Sequence, residues 1–201
     1  MKNFNKEIYN FIPTVIDKTN KGDYNYDLYS KLLKERIIFI FGEISNDITN
    51  LIIAQLLYLE GESNEKDIYI YINSIGGSVS NGLAIFDTIN YIKSDVCTFC
   101  LGVAYSMGAF LLSSGKKGKR FSLSNSRIMI HQPLSGIQGQ VTDMKIHVDE
   151  VLKLKRKLIY LFSLNTNKSI KKIIKDTERD FFMSPLKALK YGIIDSILLN
   201  K

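Results

Sequence analysis

Strand-length apolar runs alternate with amphipathic helical segments through most of this 201-residue chain. The clearest runs lie in residues 37–41, 67–73 and 96–101, and a helical pattern of apolar residues follows each of them. Uninterrupted apolar runs are typical of strands that are covered on both faces of a sheet. A strand and a helix that repeat about every thirty residues predict βαβ units with right-handed crossovers. We therefore predict an α/β fold with a largely parallel sheet.

The remainder of the chain adds further elements and contains no interdomain linker. The predicted elements are a strand at residues 128–130, a long helix at 142–162, a short helix capped by Ser169, a helix that begins at Ser184 with Pro185 in its first position and Gly192 past its end, and a final strand at 193–198. We therefore expect residues 21–201 to form a single domain. Residues 1–20 are predicted to form an N-terminal arm that could include a removable pro-segment.

The chain is basic, with a formal net charge of +7 and a sequence pI of about 9.2. Its densest cluster of basic residues, 116–120, lies in a glycine-containing loop that has no aromatic residues on which bases could stack. We therefore expect no nucleic-acid partner. No apolar run approaches the roughly 20 residues of a membrane span, and the N-terminus lacks the apolar core of a secretory signal. These features predict no membrane partner and a cytoplasmic location.

Cys97 and Cys100 have the C-x-x-C spacing that also occurs in redox and metal sites. Both fall in the predicted strand at residues 96–101, where positions three apart point to opposite faces. Their sulfur atoms are therefore not expected to converge on a metal ion or on each other. We predict two buried, unpaired cysteines and no metal site.

Residues that could take part in catalysis follow three of the predicted strands. The second strand leads to the Gly76–Gly77 pair, the third to Ser106, and the fourth to His131. Ligands of open parallel sheets bind beyond the carboxyl ends of the strands, so these features should share one edge. A serine, a histidine and a glycine pair whose N–H groups could meet an oxyanion suit acyl transfer. The alternative for the glycine pair is a simple turn.

Ser106 lies in the segment 102–109, which has small residues such as Ala104 and Gly108 on both sides of it, and at the predicted start of a short helix at 106–112. A helix N-terminus has unpaired N–H groups and a partial positive charge, which can stabilise an anion beside a nucleophile. The flanking residues do not match the G-x-S-x-G motif of α/β-hydrolases. Helix capping is the alternative role for Ser106, because serine is a common N-cap residue.

His131 is the better of the two histidines as a general base for Ser106. It follows an apolar strand, whereas His147 falls within the long predicted helix among acidic residues that suit a solvated face. A neutral imidazole needs a third group that holds its tautomer. Asp176 and Asp180 are both candidates for that group, and their spacing does not choose between them. A surface ion pair is the alternative for either carboxylate.

A set of motifs along the chain is more specific than any one of them alone. The motifs are residues 26–30, 33–39, 71–74, 106–112, 129–134, 176–180 and 183–184. With these motifs the chain resembles the proteolytic subunit of the Clp proteases from about residue 12 to residue 198. The resemblance implies an ATP-dependent serine endopeptidase.

The same resemblance implies which residues are functional. It selects Ser106, His131 and Asp180 as a catalytic triad, and so favours the second of the two acidic candidates. It also implies that the N–H groups of Gly77 and Met107 form the oxyanion hole. His131 would take the proton of Ser106 as it attacks a peptide carbonyl, and the resulting acyl-enzyme would be hydrolysed.

The resemblance also implies an architecture and partners. The family fold is a crotonase-like spiral of βαβ units with an extended helical handle, here the helix at 142–162. Two seven-membered rings stack handle to handle, in contact through the segment at 138–140, and enclose the active sites. A hexameric Clp ATPase docks outside and threads unfolded proteins inward, and Tyr69 and Tyr71 match aromatic positions of its docking pockets. Because that partner consumes the ATP, no cofactor is expected for this chain.

Two positions near the predicted site depart from the family pattern. Ile75 stands where the family usually has proline before the glycine pair. Tyr105 stands where it usually has a small residue before the nucleophile. Two alternative functions are another crotonase-fold enzyme that acts on acyl-CoA thioesters, and a non-enzymatic Clp-like ring subunit. The first needs no Ser–His–Asp set, and the second would have lost it.

Overall fold

The computed structural model describes residues 12–19 and 22–199. In the N-terminal unit, Met1–Ile37, the described residues form an antiparallel hairpin and a short helix. The hairpin pairs β1 (Thr14–Thr19) with β2 (Gly22–Asp27), and α1 (Leu28–Lys34) follows. Residues 14–19 of the predicted N-terminal arm are thus strand. The rest of that arm lies largely outside the described residues, and its pro-segment and boundary stay predictions.

The larger unit, Ile38–Lys201, alternates strands and helices as the apolar runs predict. Its elements are β3 (Ile37–Ile44, which begins one residue before the unit), α2 (Asn46–Glu62), β4 (Ile68–Gly77), α3 (Val79–Tyr91), β5 (Val96–Tyr105), α4 (Met107–Ser113), β6 (Arg120–Leu123), β7 (Arg127–Ile130), α5 (Val141–Thr166), α6 (Ile170–Thr177), β8 (Phe181–Met183), α7 (Pro185–Tyr191) and β9 (Ser196–Leu198). Serine hydroxyls cap several helices by accepting the N–H three residues on, and they belong to Ser45, Ser78, Ser169 and Ser184.

Strand β5 is the centre of a mostly parallel sheet of seven strands within the described residues. It pairs in parallel with β4, and its neighbour on the other side changes along its length. Residues 98–100 pair in parallel with β6, whereas residues 103–105 pair in parallel with β7. Strand β8 pairs antiparallel with β7. The predicted α/β fold with a largely parallel sheet is confirmed.

Helix α4 is buried along its whole length, and its first residue therefore lies in the core. It packs against β4, β5, α3 and α5. The ring of Phe110, which is fully buried, lies 5.0 Å from that of Phe86 and 5.3 Å from that of Phe162. Burial of an aromatic side chain of this kind contributes about 2–3 kcal/mol. The residue that precedes α4 is therefore held on a rigid element.

Strands β6 and β8 are absent from the sequence prediction. Strand β6 begins with Arg120, a buried charge whose Nε and Nη2 atoms donate to Asp195 at 2.8 and 2.6 Å. The charged residue hides the apolar pattern of this four-residue strand, and β8 has only three residues. Helix α5 is longer than predicted, and β9 is shorter. The segment at 138–140 adopts neither helix nor strand in the single chain.

Both cysteines are buried and unpaired, as predicted. Burial, followed by the nearby Asp67 carboxylate, raises the pKa of the Cys97 thiol to about 12. Burial also raises the pKa of the Cys100 thiol to about 11. At neutral pH both side chains are therefore protonated and unreactive thiols.

Candidate active site

Ser106 connects β5 to α4 in a conformation that few non-glycine residues adopt. Its φ and ψ are +53° and −119°, and a residue in such a region costs about 1–3 kcal/mol. The Ser106 N–H donates to the Met129 carbonyl at 2.8 Å, and its own carbonyl accepts the Phe110 N–H at 3.1 Å. Ser106 occupies the N-cap position, but its side chain makes no capping hydrogen bond. The helix-capping interpretation of this serine is therefore wrong.

The hydroxyl of Ser106 instead contacts His131, and His131 contacts Asp180. His131 Nε2 lies 2.9 Å from Ser106 Oγ, and Nδ1 lies 3.0 Å from Asp180 Oδ1. This geometry suits a neutral imidazole that donates from Nδ1 and accepts at Nε2. The His131 side chain is 16% exposed and that of Asp180 is 57% exposed. The structure thus brings together all three residues of the predicted triad.

Asp176, the other acidic candidate, lies in a separate buried network. Its Oδ1 accepts a hydrogen bond from Lys172 Nζ at 2.9 Å, and its Oδ2 accepts one from the Tyr191 hydroxyl at 2.8 Å. Burial, together with the hydrogen bond to Asp176, raises the pKa of the Tyr191 hydroxyl. One carboxylate oxygen therefore bonds within α6, and the other connects α6 to α7. His147, the rival histidine, is exposed on α5.

Gln132 is a structural residue of this site that the sequence analysis missed. Its N–H donates to the Thr177 carbonyl at 2.6 Å, and its side-chain amide donates to the Glu178 carbonyl at 3.1 Å. Lys155 on α5 donates to the Gln132 side-chain oxygen at 2.5 Å. These bonds join the segment after His131 to the segment that leads to Asp180. Its position directly after His131 was the only signal in the sequence.

Gly76, the first of the glycine pair at the end of β4, lies directly against Ser106, whereas Gly77 lies against the backbone of Ile44. A Cβ atom on Gly76 would lie 2.7 Å from Ser106 Cβ, and one on Gly77 would lie 2.6 Å from the Ile44 carbonyl oxygen. The Gly76 N–H donates to the Ser74 hydroxyl at 3.0 Å. Met107 is the first residue of α4, and the N–H of a first helical residue has no carbonyl partner within its helix. The oxyanion role of the Gly77 and Met107 N–H groups stays a prediction.

An apolar pocket opens beside Ser106 and His131. Its apolar lining is Val79, Met107, Pro133, Leu158, Ile159, Phe162 and Ile173. Three of these side chains, Leu158, Ile159 and Phe162, come from α5, the long helix that the resemblance likens to a handle. The sequence shows an apolar stripe on this helix, but nothing in the stripe indicates which part of it faces the nucleophile.

Tyr69 and Tyr71 belong to a row of aromatic rings that crosses neighbouring strands of the sheet. Tyr71, Phe99 and Phe121 are in register on adjacent strands, with ring centroids 4.8 and 4.9 Å apart. Phe39 continues the row 5.9 Å beyond Tyr71. Tyr69 is 36% exposed and lies 6.2 Å from Phe99. This aromatic row is a partly exposed apolar surface.

No helix within residues 12–19 and 22–199 is long and apolar enough to cross a membrane. In the same part of the chain, no three His, Cys, Asp or Glu side chains converge as metal ligands would.

Comparison with known proteins agrees with the fold and the arrangement of these residues. A family model described as Clp protease matches residues 20–201, which is nearly the whole chain. The mostly parallel sheet and the seven helices of the described residues are consistent with the fold of that family. The chain therefore belongs to the Clp protease family and is a Clp-type peptidase.

Proposed function

We propose that this chain is the proteolytic subunit of an ATP-dependent Clp protease and hydrolyses peptide bonds of unfolded proteins as a serine endopeptidase. The observation that carries the proposal is the hydrogen-bonded series Ser106–His131–Asp180 at the carboxyl end of the sheet. Such a series activates a serine hydroxyl, which is a weak nucleophile by itself. An apolar pocket beside the hydroxyl provides a place for a substrate side chain.

The proposed reaction follows from the position of each group. Ser106 Oγ attacks the peptide carbonyl while His131 Nε2 accepts the hydroxyl proton, and Asp180 holds the Nδ1–H in place. The negative charge on the carbonyl oxygen is met by the N–H groups of Gly77 and Met107. His131 then donates its proton to the leaving amine, which leaves an ester on Ser106. Water, deprotonated by His131, hydrolyses that ester and restores the hydroxyl.

The pocket beside Ser106 favours apolar side chains on the acyl side of the cleaved bond. Seven apolar residues line it, and Lys155 is its one lining residue with an ammonium group. Lys155 is already hydrogen-bonded to Gln132 and lies 3.7 Å from a carboxylate oxygen of Glu178. Leucine, methionine and phenylalanine are therefore the expected side chains at this subsite.

The aromatic row supports the proposed partnership with a Clp ATPase. Members of this family form rings that work with such ATPases, and we propose two stacked seven-membered rings for this chain. Exposed aromatic surface is unfavourable in water and is enriched at protein interfaces. Tyr69 and Tyr71 would bind an apolar loop of the hexameric ATPase. The partner would consume the ATP, and this chain would need no cofactor. We expect the assembly to act in the cytoplasm.

Labelling with a fluorophosphonate tests the proposed mechanism. This reagent phosphonylates activated serines, so we expect it to modify Ser106, as located by mass spectrometry of peptides. The Ser106→Ala variant should neither be labelled nor cleave a small fluorogenic peptide. A matched control is Ser114→Ala, which changes a serine whose hydroxyl donates to the Leu111 carbonyl in the turn after α4. Ser114→Ala should keep both activities.

The same experiment separates the alternatives. An acyl-CoA enzyme of the crotonase fold would act on thioesters and would not depend on Ser106. A non-enzymatic ring subunit would resist the label altogether. Unchanged peptide cleavage by Ser106→Ala would contradict the proposed function.

A further inference from the structure

Three neighbouring strands hold the residues of the site, and one row of residues crosses all three. Tyr105 of β5 is in register with Met129 of β7, and Met129 is in register with Phe182 of β8. Residues in register on adjacent strands carry their side chains on the same face of a sheet. Tyr105, Met129 and Phe182 therefore form one continuous row of side chains.

The rings of Tyr105 and Phe182 meet across the middle strand. Their centroids are 5.6 Å apart and their planes cross at 89°, an edge-to-face contact. Met129, which lies between them in the row, is 7% exposed. The two rings thus connect β5 to β8 directly, across the Met129 side chain of β7.

Each triad residue leaves its strand one or two positions from this row and at the same end of the sheet. They are Ser106 after Tyr105, His131 after Met129, and Asp180 before Phe182 in the antiparallel strand. A contact between the outer members of the row therefore limits how far Ser106 and Asp180 can move relative to each other.

Strand β8 is a short strand at the edge of the sheet. It has three residues, and β7 is the one strand with which it pairs in the described part of the sheet. Phe181 and the buried Met183 are held from the side of α7, where Lys187 lies 3.7 Å from the Phe181 ring and donates to the Phe182 carbonyl at 3.1 Å. The Phe182 side chain itself is 47% exposed. Asp180 precedes this strand and has an exposed side chain. Short edge strands of this kind open easily unless side chains hold them.

We propose that Tyr105 and Phe182 are positioning residues for the Ser106–His131–Asp180 series. Their edge-to-face contact holds β8 against the strand that leads to Ser106 and so keeps Asp180 within hydrogen-bonding distance of His131. The inference rests on the proposed serine-peptidase function. The inference also assigns a role to Tyr105, which stands where the Clp protease family usually has a small side chain.

A double-mutant cycle tests this inference in the assembled protein. The variants are Tyr105→Leu, Phe182→Leu and the pair together, because leucine keeps apolar bulk and removes the ring. Turnover of a small fluorogenic peptide is expressed per active site. The number of active sites is measured in a parallel sample by titration of Ser106 to completion with a fluorophosphonate. Each single variant should lower kcat about 3- to 10-fold with KM within about two-fold. The double variant should be no slower than the slower single one, since one contact is lost in all three.

Conservative variants separate positioning from general stability. Tyr105→Phe and Phe182→Tyr keep both rings, and their kcat should stay within about two-fold of the wild type. Unchanged kcat in both leucine variants, or kcat losses that multiply in the double variant, would overturn the inference. If the wild type itself resisted the fluorophosphonate at Ser106, the proposed function would fail rather than the positioning role. A variant that did not assemble would be replaced by Phe182→Met, for which the same 3- to 10-fold loss of kcat is expected.

Discussion

Gly76 lies so close to Ser106 that the nucleophile occupies the space a side chain at position 76 would need. A Cβ atom at Gly76 would be 2.7 Å from Ser106 Cβ and 2.9 Å from the Tyr105 carbonyl oxygen. Its φ of +97° is also strained for any other residue. The end of β4 and the start of α4 therefore share one tightly packed boundary, where the proposed reaction takes place.

Gly76→Ala should lower kcat/KM for a small peptide by at least about 100-fold, because the added methyl group must displace Ser106 from His131. Steady-state cleavage and the rate of fluorophosphonate labelling measure this loss. Gly61→Ala is the matched control, since a Cβ at Gly61 meets nothing within 4 Å. Full activity in Gly76→Ala would contradict the close packing of Gly76 on Ser106.

Asp180→Asn and Asp176→Asn should have different effects. Asp180→Asn removes the group that holds the His131 tautomer, and we expect kcat to fall about 10³- to 10⁴-fold with little change in thermal unfolding. Asp176→Asn leaves the buried Tyr191 hydroxyl imperfectly bonded and removes the ion pair with Lys172, and it should cost about 1–3 kcal/mol of unfolding free energy. Peptide turnover and thermal unfolding of both variants test this. The reverse pattern would assign the acid to Asp176.

The Asp195–Arg120 pair predicts how stability depends on pH. Burial raises the pKa of the Asp195 carboxyl group, but the hydrogen bond and charge of Arg120 outweigh this effect, and the pKa lies below its usual value. A carboxyl group whose pKa is lower in the folded state stabilises the protein above its unfolded pKa of about 4. That stabilisation is lost as the pH falls through the folded-state pKa.

At pH 7, Asp195→Asn should be less stable than the wild type by about 3 kcal/mol, because Arg120 stays buried without its counter-charge. The difference in thermal midpoint should narrow between pH 5 and pH 2. Asp143→Asn, at an exposed position in the first turn of α5, is the control. A difference that stayed constant over this pH range would argue against the charge of Asp195 as its cause.

The apolar pocket predicts substrate preference. Peptides with leucine before the cleaved bond should have kcat/KM at least about 10-fold above those with aspartate there. Ile159→Ala should weaken this preference, because Ile159 lines the pocket. Leu164→Ala, on the same helix but 50% exposed and outside the pocket, should leave the preference unchanged. Equal cleavage of the two peptides would exclude the pocket as the subsite.

Tyr69→Ala should separate the two proposed activities. Loss of an exposed ring from the aromatic row should reduce degradation of a folded substrate by the cognate Clp ATPase at least about 10-fold. Cleavage of a small peptide should stay the same, since Tyr69 is not part of the triad or its pocket. Tyr91→Ala, at a ring that is 83% exposed, is the control. Equal losses in both assays would point to disrupted assembly instead.

Local pattern was enough to predict most of the fold. The apolar runs at β3, β4 and β5 and the caps at Ser169 and Ser184 lie where the sequence indicates. Strands β6 and β8 were missed because a strand of three or four residues with a charged or aromatic start has no readable period. Their existence depends on neighbours that are distant in the chain, namely β5 and β7.

The amino-acid sequence by itself determined the class of fold, the serine and histidine with potential for acyl transfer, and the family pattern that unites them. Residue spacing left Asp176 and Asp180 open, and the resemblance favoured Asp180, whose carboxylate the tertiary structure places beside His131. Only the tertiary structure showed that the Ser106 side chain makes no capping hydrogen bond and that residues of α5 line a pocket. The physical reason is that sequence periodicity reports which face of an element is buried. Distances between side chains instead depend on strand order, and β5, β7 and β8 are neighbours in space across long intervening segments.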